Sequence, residues 1–317
     1  MKYSSGSKMQ DLFGNNISDQ PIRINIYADE IQGKRCPYTR QEWDYIGLII
    51  EKIDNSFFED IVHERFMGNY DQSSPYFAKN NKTVHWCDIR IADTKNVCKR
   101  WFEYLMNPSK SGGKLYSYIL GINNSHIVKE EFDQENEFNS IYNRFFRSAV
   151  LYAIKTYFPN QRVIVENVFH EEGQQQDHEF FPWHSIYLLS KKDNIEFIHD
   201  RIQFLPKDHK VNSRSNVIQL CDCILGVSTC LIHGVEDSNS SKYRDELLEL
   251  YYPLLDKMMS EPRNPNSRYD HHRRLLIRFF PKERTGIGDI ARLTNQFYSK
   301  RQLYYIEQRS GQKSLFE

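Results

Sequence analysis

The chain carries no surplus charge of either sign: 42 Lys and Arg stand against 42 Asp and Glu in 317 residues, so net charge selects no partner. Its opening residues, MKYSSGSKMQDLFG, contain no apolar run, and no secretory signal is expected. The longest apolar stretch, Val217 to Ile232, falls short of the ~20 residues that cross a bilayer and carries Asp222 in its middle, so no membrane partner is expected. The six cysteines (Cys36, Cys87, Cys98, Cys221, Cys223, Cys230) form no disulfide-like framework for a chain of this size. Three of them fall in that apolar stretch, where free thiols behave as small apolar groups. A reducing cytoplasm is the compartment these absences predict.

Several chemistries lack their signature. GIG at 286–288 has neither the lysine nor the strand–turn context of a phosphate loop, and there is no GxSxG elbow. His178 and His184 flank EFFPW without HExxH spacing. Cys221 and Cys223, two apart on a helix, point away from each other, and no second pair exists to complete a zinc site.

What is present is a core. Hydrophobic residues make up 39%, and 20 Tyr with 20 Phe argue against disorder. Residues 1–20 read as a polar leader. In IRINIYADE, Ile22, Ile24 and Ile26 alternate with Arg23, Asn25 and Tyr27, the period of a strand. Further strands are expected at 44–52, 84–92, 115–123, 162–169 and 194–205. Helices are expected after residue 52, through Phe102 and Leu105, over 136–157 up to Pro159, at about 180–191, at 217–232 and at 241–259. Residues 68–82 and HEEGQQQDHE read as loops, and LLIRFF as a further strand or helix. This order predicts an α/β fold, a mixed sheet with helices on its faces.

Acidic residues interrupt three apolar elements. A lone buried carboxylate costs several kcal/mol, so each needs a partner, a raised pKa or a cation. Asp222 is the one charged side chain between Arg214 and Glu236, and Gln219, Asp222, Gly226 and Thr229 form a narrow polar and small stripe on an apolar helix. It either faces a functional polar site, caps a nearby loop or pairs with an arginine. Asp29 ends the first strand and shares a face with Asn25 and Tyr27, whereas Glu30 shares that of Ile24 and Ile26. Such a position suits a metal ligand or a turn cap equally. Glu166 interrupts RVIVENVF on the expected face of Ile164, Val168 and His170, where pairing with Arg162 is the structural alternative. Asp200, beside Arg201, is a weaker candidate, as are His170 and Gln219. Together such carboxylates can hold two divalent cations about 3.5–4 Å apart, activating a water for phosphodiester hydrolysis. Oxygen donors select Mg²⁺ or Mn²⁺ over zinc.

Two segments carry a resemblance. IYADEIQG resembles the N-terminal YxDESG signature, and VIQLCDCILG the C-terminal LQLADxxxG signature, of the family named domain of unknown function 3800. The resemblance spans roughly residues 22–232 and implies a ribonuclease-H-like fold. That fold is a five-stranded mixed sheet flanked by helices, expected here over residues 21–260 with insertions; residues 261–317, which the resemblance does not reach, are expected to form a helical, basic extension. It further implies that Asp29, Glu30 and Asp222 are metal ligands, with Glu166 where the family usually has an Asp. Ile31 and Gln32 replace the usual Ser before Gly33, a departure that leaves an inactive member open.

Residues 261–317 hold 12 Lys and Arg against 6 Asp and Glu. Arg273, Arg274, Arg278, Lys282 and Arg284 are therefore candidates for tracking a phosphate backbone, or else an ordinary solvated surface. The leading expectation is a Mg²⁺- or Mn²⁺-dependent nuclease on DNA or RNA, with Asp29, Glu166 and Asp222 catalytic. The alternatives are a non-catalytic module of the same fold that binds nucleic acid or a protein, and metal-dependent phosphotransfer on a small nucleotide.

Overall fold

The alternation of Ile24 and Ile26 with Asn25 and Tyr27 sets the two faces of the central strand, β1 (Ile22–Arg35), which runs five residues beyond Glu30. The computed structural model describes residues 20–37, 39–69, 81–127, 137–173, 194–233, 242–259 and 274–280. Six further strands follow in chain order: β2 (Glu42–Lys52), β3 (Leu115–Asn123), β4 (Val163–Glu171), β5 (Ile195–Phe197), β6 (Gln203–Leu205) and β7 (Leu275–Phe280). They form one mixed sheet in the order β5-β4-β1-β2-β3-β7, with β6 also pairing β4. β2 runs antiparallel to both β1 and β3, whereas β4 runs parallel to β1, β5 and β6 run parallel to β4, and β7 runs parallel to β3.

Helices cover both faces, as the sequence predicts. The helices are α1 (Phe57–Asn69), α2 (Ala92–Met106), the short α3 (Pro108–Ser111), α4 (Glu137–Tyr157), α5 (Ser215–His233) and α6 (Lys242–Met259). On one face Phe146, Val150 and Ile154 of α4 pack on Ile24, Ile26, Ile46 and Leu48. On the other, Leu220, Ile224 and Leu225 of α5, joined by α1, α2 and α6, pack on Tyr27, Tyr45 and Ile49. Each face thus buries a separate apolar cluster, the two-sided burial that a sheet with parallel strands requires.

Three expectations are corrected. The sheet has seven strands rather than five, partly because 194–205 breaks into β5 and β6. The C-terminal region is not wholly helical, since LLIRFF enters the sheet as β7 beside β3. Residues 84–92 are no strand: the backbone N–H of Val84 donates to Gln219 Oε1 (3.0 Å) and that of Trp86 to Asp222 Oδ2 (2.6 Å), and a 3₁₀ turn follows at Trp86–Asp88. Side chains of α5 take the donors that a neighbouring strand would have taken. The leader at 1–19 and the expected helix at 180–191 lie outside the described residues.

α5 is long and apolar enough to cross a bilayer, yet 94% of that stretch is buried inside the protein, an arrangement compatible with a soluble protein. Gly47 lets it lie close to the sheet, and Gly226 lets the Trp86 ring lie against it. A Cβ on Gly47 of β2 would stand 2.6 Å from Leu225, and one on Gly226 would stand 2.1 Å from the Trp86 ring. The N-terminal end is pinned as well: Arg214 donates to Tyr27 Oη and, at 3.2 Å, to Glu51 Oε2, which also accepts from Tyr27 (2.7 Å) and Asn25 (3.0 Å). Arg65 of α1 reaches Asn216 and Gln219 from the side.

Gly226→Ala is expected to overpack this contact and lower stability by about 1–3 kcal/mol, seen as a fall in the thermal midpoint. An unchanged midpoint would mean that Trp86 does not pin α5.

Candidate functional site

The sheet register brings acids together at one end. Asp29 lies opposite Gly47 of β2, on the face covered by α5, and is fully buried. Asp222 comes down from α5 onto the same face, its side chain only 12% exposed. The third acid is Glu171, the last residue of β4. A bulge delivers it. Ile24 pairs with Val165 but Asn25 pairs with Asn167, so Glu166 is an extra residue in β4. Before the bulge Val163 and Val165 face α4; after it Val168 does, while Phe169 stacks on Tyr27 on the α5 side. Glu171, two residues beyond Phe169, therefore points where Asp29 points.

The electrostatics record this convergence. Burial pushes the Asp29 carboxyl well above its usual range, and the charges of Asp222, Glu171 and Glu30 push it further. The Glu30 N–H, which donates to Asp29 Oδ1 at 2.9 Å, works against that rise. Burial likewise raises Asp222, to about 6, with Glu171 adding to the rise. His85, the Trp86 N–H and Lys207 hold it down. His85 Nε2 stands 3.7 Å from Asp222 Oδ1. That imidazole is raised to about 9, chiefly by its bond to Cys87 and then, against burial, by the charge of Asp222, so it is cationic at neutral pH. Lys207 Nζ is 2.8 Å from Glu171 Oε1.

The expected site residues thus divide. Asp29 lies within electrostatic reach of Asp222 and of Glu30. The Glu30 carboxylate nevertheless turns to the other face, 3.3 Å from His170 Nε2. His170 faces α4 as well, bonded to Tyr142 (2.6 Å) and packed edge-on against Phe146. Glu166 pairs with Arg23, not with the expected Arg162, which bonds Glu196 at 3.0 Å; the bulge turns Glu166 away from the acids. Asp200 is exposed between β5 and β6. Gln219 serves architecture, accepting from Val84 and Arg65 and donating to Lys207 O (2.7 Å). Asp222 does cap a neighbouring segment, through Trp86, in addition to its place among the acids.

The basic candidates divide too. Arg274 is 1% exposed and donates to Ser111 Oγ (2.8 Å) and Leu105 O (3.4 Å), so it braces β7 against α2 and α3 and cannot reach a phosphate. Arg278 is exposed. Arg273, Lys282 and Arg284 lie outside the described residues. Sequence reading passed over Glu171, His85 and Lys207. The signal for Glu171 was HEE itself, read as loop although it completes β4.

As a donor set, Asp29, Glu171 and Asp222 offer hard oxygens and surplus negative charge in a buried place, which suits Mg²⁺ or Mn²⁺. Their present positions form no cage: among the described residues no three acid, imidazole or thiol groups stand close enough to hold one ion. Glu171 is turned to Lys207 and Asp222 to Trp86 and His85. Comparisons with protein-family models, curated proteins and solved structures find no match for this chain.

These shifts set a pH dependence. Asp222 rises from 3.8 to about 6 on folding, so the folded state holds that proton more tightly than the unfolded state. Stability is then lost as pH climbs through that interval, and Asp29 extends the loss upward. His85, raised from 6.5 to about 9, contributes stability that is complete below 6.5 and disappears as pH passes about 9. The metal-free protein is expected to melt at a lower temperature near pH 8 than near pH 5, and Asp222→Asn to flatten the acidic part of that slope. A midpoint that rises across this range contradicts the assignment.

Proposed function

We propose that the chain is a divalent-metal-dependent nuclease built on a ribonuclease-H-like sheet, similar to the family named domain of unknown function 3800. The observation that carries this reading is that Asp29, Glu171 and Asp222, from β1, β4 and α5, lie near enough for Asp222 and Glu171 to raise Asp29 and for Glu171 to raise Asp222. The strand order supports it: an antiparallel β1–β2–β3, a long helix α4, an acid-bearing β4 parallel to β1, then short strands leading into the helix that bears QLCD. Glu171 replaces Glu166 in the acid set.

A divalent ion bound by these carboxylates would supply Lewis-acid polarisation of a phosphoryl oxygen and activation of water for attack on phosphorus. Asp29, held within β1 by its pairing with β2, and Asp222, held by Trp86 N–H, would orient that ion between sheet and helix. Glu171 is the adjustable member, since it must exchange Lys207 for the metal. His85 keeps a proton, and a positive charge, beside Asp222 at neutral pH, where an anionic substrate gains from it. Substrate would be DNA or RNA, approached by its phosphates, with Arg278 the described basic candidate. A non-catalytic nucleic-acid- or protein-binding module is the second reading, favoured by the separation of the three acids.

Mn²⁺-dependent cleavage of single- and double-stranded DNA and RNA is expected for the wild type. Asp222→Asn and Glu171→Gln are each expected to abolish it, while Glu166→Gln keeps most of it. Activity that survives Glu171→Gln, or dies with Glu166→Gln alone, contradicts the acid set. Nucleic-acid binding without cleavage by the wild type selects the second reading.

A further inference from the structure

Lys207 occupies a position the fold builds with some care. β6 pairs with the end of β4, with Leu205 opposite Glu171 and the Glu172 N–H donating to Leu205 O at 3.0 Å. That pairing sets the next residues of the chain beside Glu171. Two bonds from α5 fix them: Ser215 Oγ donates to Pro206 O (2.6 Å), and Gln219 Nε2 donates to Lys207 O (2.7 Å). The backbone of Lys207 is thus clasped by the same helix that carries Asp222. Its side chain remains 57% exposed, with Nζ 2.8 Å from Glu171 Oε1, and its charge is felt by Asp29 and Asp222 as well.

A cation held this way does two things at once. It lessens the repulsion among three carboxylates gathered at one end of a sheet, which lets the acid cluster persist without metal. It also occupies an oxygen of Glu171, which a divalent ion needs. An ordinary surface ion pair has no such consequence, because its carboxylate has no second claimant. We propose that Lys207 is a tethered counter-cation that competes with the divalent ion for Glu171 and so sets the metal affinity of the acid site. The inference rests on the metal reading given above. An exposed pair of this kind contributes little, so its removal is expected to change affinity by no more than about fivefold. Lys207 is accordingly a positioning residue, acting through Glu171.

The test is calorimetric titration of Mn²⁺ into full-length wild type, Lys207→Met and Lys207→Arg, with Lys207→Gln as a second neutral variant should the first fold poorly. The neutral variants are expected to bind Mn²⁺ about two- to fivefold more tightly than wild type at low salt, with the difference shrinking as salt screens the ion pair. Lys207→Arg is expected to stay close to wild type. Neutral variants that bind Mn²⁺ no more tightly than wild type overturn the inference while leaving the metal site standing. An absence of Mn²⁺ binding in every protein overturns the metal reading and this inference with it.

Discussion

The close approach of α5 to the sheet is the constraint on which the rest of the molecule depends. An α-helix normally stands off a sheet by the bulk of its side chains, and here the missing side chain of Gly47 removes that distance. Gly47 admits Leu225 against the backbone of β2, and Gly226 admits the Trp86 ring against the helix. Asp29 sits directly opposite Gly47, so the same gap that admits Leu225 brings Asp222, nearly one turn earlier, to the acid end of the sheet. The polar stripe of α5 then organises what passes over it: Gln219 and Asp222 take the backbone donors of Val84 and Trp86, and Gln219 also holds Lys207.

Gathering acids in a buried place has an energetic consequence that the structure answers locally. An unpaired buried charge costs several kcal/mol, and three together cost more than any one alone. Asp29, relieved by a backbone N–H, is still held well above its usual range by burial and by its neighbours' charges. Asp222 has a backbone N–H, His85 and Lys207 nearby, and Glu171 has Lys207 at ion-pair distance. The arrangement is a set of anions with too few cations, each cation provided from a loop or strap and none from a strand. On the proposed reading the deficit is what draws a divalent ion.

Much of the fold was legible because apolar periodicity is strong where burial is complete. β3 matches the expected 115–123, and α4, α5 and α6 differ from expectation by one or two residues at their ends. Asp29 and Asp222 were legible for the same reason, as charges in elements otherwise apolar. Glu171 was not, and the cause is the bulge at Glu166. Alternation counted straight through β4 puts Glu166 on the face of Val168 and His170, whereas the extra residue resets the parity and carries Phe169 and Glu171 to the α5 side. A bulge leaves no mark in a single sequence. The strap at 84–88 failed differently: its composition suits a strand, but its hydrogen bonds go to side chains more than 130 residues away. Arg274 looked like one member of a basic cluster because sequence shows charge and not depth.

The claim at the centre of this account is that Asp29, Glu171 and Asp222 are ligands of one divalent site. Anomalous diffraction from a crystal of the full-length protein grown with Mn²⁺ tests it most directly. The account predicts a manganese peak in contact with all three carboxylates, with the Lys207 ammonium withdrawn from Glu171. A peak that touches Glu166 or Asp200 instead, or well-ordered acids with no manganese between them, would contradict it.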